Sequence, residues 1–162
     1  MGSRAEPGKS DLAYIAGFLD GDGSLMVQVK HRNGTARGWH LMFTICLYQD
    51  TRHEEPLYWI RGILGIGYIS RRNDGMSELR INGVASAQRI LVLLHPYIRF
   101  KKKQTEIILQ ITETLQEKRY FRDLSYNDRL AVADLIADLK EENYRSRSSF
   151  TREKLRAVLG FH

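Results

Sequence analysis

Cysteine is almost missing from this 162-residue chain, and Cys46 stands alone. That excludes an internal disulfide and a cysteine-built zinc site. Five histidines, at positions 31, 40, 53, 95 and 162, are scattered without zinc-ligand spacing. No apolar run approaches the roughly 18 residues a membrane span needs, so no membrane partner is expected. Met1–Ser10 (MGSRAEPGKS) lacks the apolar centre of a signal peptide and reads as a loose tail. A phosphate-cradling glycine loop with its lysine is also missing, so ATP is not implied. No low-complexity segment or long linker divides the rest, which fits one domain over residues 11–162.

What is present is a chain 43% hydrophobic, enough for a core without cross-links. Lysine and arginine number 25 against 19 aspartates and glutamates, a net charge of +6. That balance permits a polyanionic partner without requiring one.

The pattern predicts helix, two strands, helix, two strands, then helices. Asp11 is placed to cap a helix over Leu12–Asp20, stopped by Gly21 and Gly23. Ser24–Arg32 and His40–Tyr48 alternate with period two around a loop at His31–Gly38. Leu25, Val27 and Val29, with Leu41, Phe43, Ile45 and Leu47, form the inward rows. A helix over Glu54–Leu64 follows, then a hairpin of Gly67–Arg72 and Ser77–Ile81 turning at Asn73-Asp74-Gly75. Further helices are expected over Val84–Leu94, Lys101–Glu117 and Asp123–Glu142, with Thr151 capping a last one. Trp39 and Trp59 read as packing residues. The class is α+β, an antiparallel sheet with helices on one face and the other face open.

The outward rows carry chemistry. The first strand offers Ser24, Met26, Gln28, Lys30 and Arg32; the second offers His40, Met42, Thr44, Cys46 and Tyr48, with Gln49 at its end. The second hairpin offers Tyr68, Ser70, Arg72, Glu78 and Arg80. Such rows suit a solvated sheet face, and they also suit reading base edges in a major groove. More positive charge lies at Arg99, Lys101, Lys102 and Lys103, and at Arg145, Arg147 and Arg152. Four cations before a helix N-terminus oppose the helix dipole, which favours anions there.

Asp20 and Asp22 sit at a helix C-terminus, where carboxylates also oppose the dipole; capping and metal binding are both open explanations. Magnesium often takes one or two carboxylates plus substrate phosphate. Ala13, Ala16, Gly17, Asp20 and Gly21 line the same helix, and its small residues would let two copies approach across a two-fold axis. Two Asp22 carboxylates would then converge. Two such sheets, each with strands of about 10 residues at 3.4 Å, would span about 70 Å, or about 20 base pairs.

Ile15–Gly23, IAGFLDGDG, resembles the signature of the LAGLIDADG homing endonucleases. The likeness extends through Tyr48-Gln49, GIGYI at Gly65–Ile69, PYIRFKKKQ at Pro96–Gln104 and LRAVL at Leu155–Leu159. It looks like the single-motif, homodimeric group, especially the members encoded in algal chloroplast introns. The resemblance implies an αββαββα fold whose saddle-shaped sheet sits on DNA. It implies site-specific cleavage of both strands of a long pseudopalindrome, leaving 3′ overhangs, with catalytically silent DNA binding or a splicing role on intron RNA as the alternative. Asp22, with the Gly21 carbonyl, would hold Mg²⁺; Mn²⁺ would substitute, and Ca²⁺ would bind without supporting cleavage. Gln49 would order active-site water, Lys101 would stabilise developing charge at the scissile phosphate or orient water, and His53, with Arg52 beside it, would stand where relatives carry a basic residue near that water. Gln104 falls in the same segment. The chloroplast is the implied compartment, the mitochondrion the next.

Overall fold

A computed structural model describes residues 6–31, 38–116, 118, 121–143 and 150–160. Helix α1 (Lys9–Asp22) begins before Asp11 and runs through Gly21. Gly8, in an extended conformation, occupies the cap, and its carbonyl accepts the Leu12 N–H at 3.0 Å. Asp11 therefore lies in the first turn, where its charge suits the dipole. Burial of Leu12, Ile15, Ala16 and Leu19 offsets the low helix propensity of the glycines. Gly23 ends the helix, its N–H donating to the Leu19 carbonyl. A Cβ at Gly23 would lie 2.5 Å from Leu19 Cδ1 and 2.7 Å from Leu19 O. Only glycine lets a strand leave the helix so abruptly.

That strand is β1 (Gly23–His31), which pairs antiparallel with β2 (Trp39–Asp50) from Gly23↔Leu47 to His31↔Trp39. After a 3-10 turn at Thr51–His53 comes α2 (Glu55–Leu64), started by Pro56 and closed by Gly65 in the left-handed region at φ 69°. Then β3 (Tyr68–Arg71) and β4 (Met76–Asn82) form the second hairpin, with Gly75 at φ 80° in its turn. The β2–β4 pairing, Thr44↔Asn82 to Asp50↔Met76, joins the two hairpins into a sheet of order β1-β2-β4-β3. Each αββ unit thus contributes one central strand and one edge strand.

The chain continues through α3 (Val84–Leu94), α4 (Lys102–Gln116), α5 (Tyr126–Glu142) and α6 (Arg152–Gly160). Lys101 lies just before α4 rather than in it, and Phe121–Asp123 is a separate 3-10 turn. Ser125 caps α5 by accepting the Asp128 N–H at 3.1 Å, and Thr151 accepts from Lys154 at the start of α6. Leu25, Val27, Phe43, Ile45, Leu47, Leu79 and Ile81 of the sheet bury against Leu12, Ile15, Leu19, Leu57, Ile60, Ile90 and Leu91 of the helices. The helices cover one face and leave the other open, so the αββαββα arrangement is present, followed by further helices. Among the described residues no helix is long and apolar enough to cross a membrane.

Candidate active site and nucleic-acid interface

Asp20 and Asp22 are two residues apart on one helix but point to opposite fates. Asp20 is buried. One carboxylate oxygen accepts the Arg99 and Phe100 N–H groups at 2.7 and 3.2 Å, and the other accepts the Lys101 N–H at 3.0 Å. These are donors at the start of α4, so Asp20 caps a distant helix in the way a side-chain oxygen caps its own. Lys101 replies: its Nζ donates to the Asp20 carbonyl at 2.6 Å, placing a cation at the negative end of α1. The excess of cations before α4 is thereby explained for Lys101, while Lys103 pairs with Glu142 of α5. Gln104, buried, reaches the Glu142 carbonyl at 3.4 Å and ties the same two helices.

Asp22 is exposed, and among the described residues nothing bonds its carboxylate. The last carbonyls of α1 are divided: Leu19 O is taken by Gly23 and Asp20 O by Lys101, which leaves Gly21 O beside Asp22. An open carboxylate, a free carbonyl and the negative end of a helix form a donor set that suits a hard divalent cation. No group of three His, Cys, Asp or Glu gathers among the described residues. Gln49 lies at the same end of the sheet, two residues past the Gly23↔Leu47 pair, and its Oε1 accepts the Asp50 N–H at 2.8 Å. That leaves its amide NH₂ to donate elsewhere. His53 follows on the 3-10 turn, exposed, whereas Arg52 is engaged by Asp50 through a 2.8 Å ion pair. That guanidinium holds the Asp50 carboxyl well below the usual carboxylate range.

The register makes the open face explicit. Its cross-strand rows run Lys30–His40, Gln28–Met42, Met26–Thr44–Asn82, Ser24–Cys46–Arg80–Tyr68 and Tyr48–Glu78–Ser70. Lys30 and Tyr68 are exposed, and Gln28, Met26, Met42, His40, Ser24, Tyr48, Arg80 and Ser70 are half-buried. Thr44, Cys46 and Glu78 depart from the expected reading surface, since all three are buried. They form its floor. Ser24 Oγ meets Tyr48 OH at 2.9 Å, and Thr44 Oγ1 donates to Asn82 Oδ1 at 2.9 Å. Burial pushes the Cys46 thiol and the Tyr48 phenol above their ordinary pKa values. Asn82, absent from the sequence reading, completes the face: its Nδ2 donates to Tyr68 OH at 3.3 Å. Continuing the period-two row from Glu78 and Arg80 would have found it. Arg72 is exposed and pairs with Asp74 at 2.7 Å. Arg32, Arg145 and Arg147 lie outside the described residues. Arg152 is not free for a polyanion, because Asp134, Asp138 and Glu141 of α5 hold it.

The small-residue face of α1 is narrower than expected. Ala16 is fully buried and Asp20 nearly so, both turned into the protomer. Ala13, Gly17 and Gly21 remain exposed at i, i+4 spacing, and a Cβ at Gly17 or Gly21 would meet nothing within 4 Å. Tyr14 borders this stripe and meets Trp59 edge-on at 5.6 Å. Trp59 is 41% exposed rather than a core residue.

The profile of the family described as LAGLIDADG endonuclease matches residues 15–114. The chain is 30% identical over 151 residues to the DNA endonuclease I-CreI of Chlamydomonas reinhardtii, covering 93% of this chain and 90% of that protein. It is 36% identical over 103 residues to the DNA endonuclease I-CvuI of Chlorella vulgaris, spanning 64% of each. A crystal structure of I-CvuI with its target DNA in 2 mM Ca superposes with a TM-score of 0.81 at 29% identity, covering 93% of this chain and 92% of that one. Another, of I-CvuI with the I-CreI target in 2 mM Mg, reveals DNA not cleaved; it gives a TM-score of 0.81 at 28% identity and covers 93% of both chains. With the motif at the α1–β1 junction, the sheet order and these likenesses together, the chain belongs to the LAGLIDADG homing endonuclease family.

Proposed function

We propose that this protein is a site-specific DNA endonuclease that cuts both strands of a pseudopalindrome of about 20 base pairs as a homodimer, by divalent-metal-dependent hydrolysis. The observation that carries this reading is the position of Asp22: an open, unpartnered carboxylate at the point where α1 passes directly into the open polar sheet, with Lys101 docked beside it. The exposed Ala13, Gly17 and Gly21 stripe meets its copy, which brings the two Asp22 carboxylates to the centre of the site. Asp22 and the Gly21 carbonyl would hold Mg²⁺, an oxygen donor set that suits it. The chemistry that ion would supply is a lowered pKa for a bound water and neutralisation of charge on the phosphate. Lys101 keeps its ammonium in place through Asp20 O and directs its remaining N–H groups at the scissile phosphate. Gln49 orders water through its free NH₂, and His53 assists at the edge of that water. Gln28, Lys30, His40, Tyr68, Ser70 and Arg80 meet base edges, and exposed cations meet the backbone. By likeness to its green algal relatives, the protein acts in an organelle, the chloroplast first.

Selection of cleaved duplexes from randomised pseudopalindromes tests this. In Mg²⁺ the protein should cut a narrow set on both strands, leaving 3′ overhangs; in Ca²⁺ it should bind the same set uncut. Binding without cutting in Mg²⁺ would reduce the protein to a DNA-binding module.

A further inference from the structure

Glu78 and Arg80 stand two residues apart on β4, on the open face. The Glu78 side chain is 7% exposed and that of Arg80 is 30% exposed. Glu78 Oε1 accepts from Arg80 Nε at 3.1 Å and from Nη2 at 2.8 Å. A carboxylate this deeply buried is costly without a partner, so the arginine is pinned by necessity and not by chance. The planar guanidinium has five donors in a fixed fork. Its Nε–Nη2 edge is spent on Glu78, which leaves the Nη1–Nη2 end directed away from the carboxylate. The exposed Tyr68 flanks it on one side and the buried Cys46 on the other.

A phosphate anchor needs net positive charge and tolerates a flexible stem. This pair has no net charge and a fixed rotamer, which suits it poorly to phosphate and well to a base edge. The two-donor end matches the O6 and N7 acceptors of guanine in the major groove. The Ser24–Cys46–Arg80–Tyr68 row lies one register step beyond the Gly23↔Leu47 pair, close to Asp22. We infer that Arg80, positioned by Glu78, reads one guanine in the inner part of each half-site. The inference rests on the DNA-cleavage reading and adds to it a base identity and the residue that sets it.

The test is a position-by-position cleavage profile on the selected site, with each inner base pair replaced in turn. The wild type should prefer guanine at one symmetric pair of inner positions by on the order of 10- to 100-fold. Arg80→Gln should flatten that preference or move it towards adenine, which glutamine reads, while selectivity at other positions persists. Glu78→Gln should weaken the guanine preference several-fold at the same positions and nowhere else. Because Arg80→Gln strands a buried carboxylate, the double variant Glu78→Gln/Arg80→Gln is run beside it, with thermal melts of both, and it should lose the same guanine. A uniform loss across all sequences would mark a phosphate contact and overturn the inference. So would a wild type with no inner guanine, or an unchanged profile in the variants. A wild type that neither binds nor cuts any duplex would overturn the function reading first and this inference with it.

Discussion

The two motif aspartates have the same chemistry and different neighbours, and that difference decides what each does. Asp20 gathers three backbone N–H groups from 79 to 81 residues further along the chain. Asp20→Ala should orphan them and cost roughly 2–4 kcal/mol, a melting-point drop of about 5–10 °C. Asp20→Asn keeps an acceptor and should cost about 1 kcal/mol. A larger loss from Asn than from Ala would contradict the capping role. The sequence showed two acids at the wrong end of a helix and left capping and metal binding both open. Helix position alone could not separate them, because the donors that engage Asp20 are remote in the chain; only the family resemblance assigned the metal to Asp22. Glu54 carries a second buried charge: Arg71 grips it with Nη2 at 2.5 Å from Oε1, and Ser77 donates to it as well. These partners lower its pKa from the usual 4.5. Its stabilising contribution is therefore present above about pH 4.5 and fades as pH falls through the depressed value. Glu54→Gln should be less stable than wild type at pH 7, with the gap in urea midpoint narrowing at pH 3; a gap independent of pH would remove the ion pair from the account.

Among the elements, α1 concentrates the constraints. Gly23 is fixed by sterics inside the protomer, so Gly23→Ala should cost roughly 1–3 kcal/mol and displace Asp22, lowering cleavage. Gly17 is unconstrained within the protomer. Gly17→Ala should raise protomer helix stability by about 1 kcal/mol while weakening self-association, read by melting and by sedimentation. A stabilised variant that still dimerises fully would move the interface off this stripe. Period-two alternation located both hairpins because one sheet face is buried, and that burial fixes which side chains turn inward. Helix limits were less legible, since caps come from outside the local pattern. Gly8, not Asp11, starts α1, and Lys101 falls outside α4 because Asp20 holds its N–H.

At the scale of the whole molecule, Asp22 stands where α1 passes into the open sheet. Alternation revealed which residues face outward but not their depth. Cys46 sits between Tyr48 and Arg80 and has no exposed surface, so its thiol serves packing and not contact. Within the chain a Cβ at Gly17 or Gly21 would meet nothing, so the pattern gives these glycines no role that the proposed second copy does not supply. The measurement that bears most directly on the account compares wild type and Asp22→Asn on the selected site, following binding in Ca²⁺ and strand cleavage in Mg²⁺. The account predicts that Asp22→Asn binds the site as the wild type does and cuts neither strand. Cleavage by Asp22→Asn at the wild-type rate would contradict it.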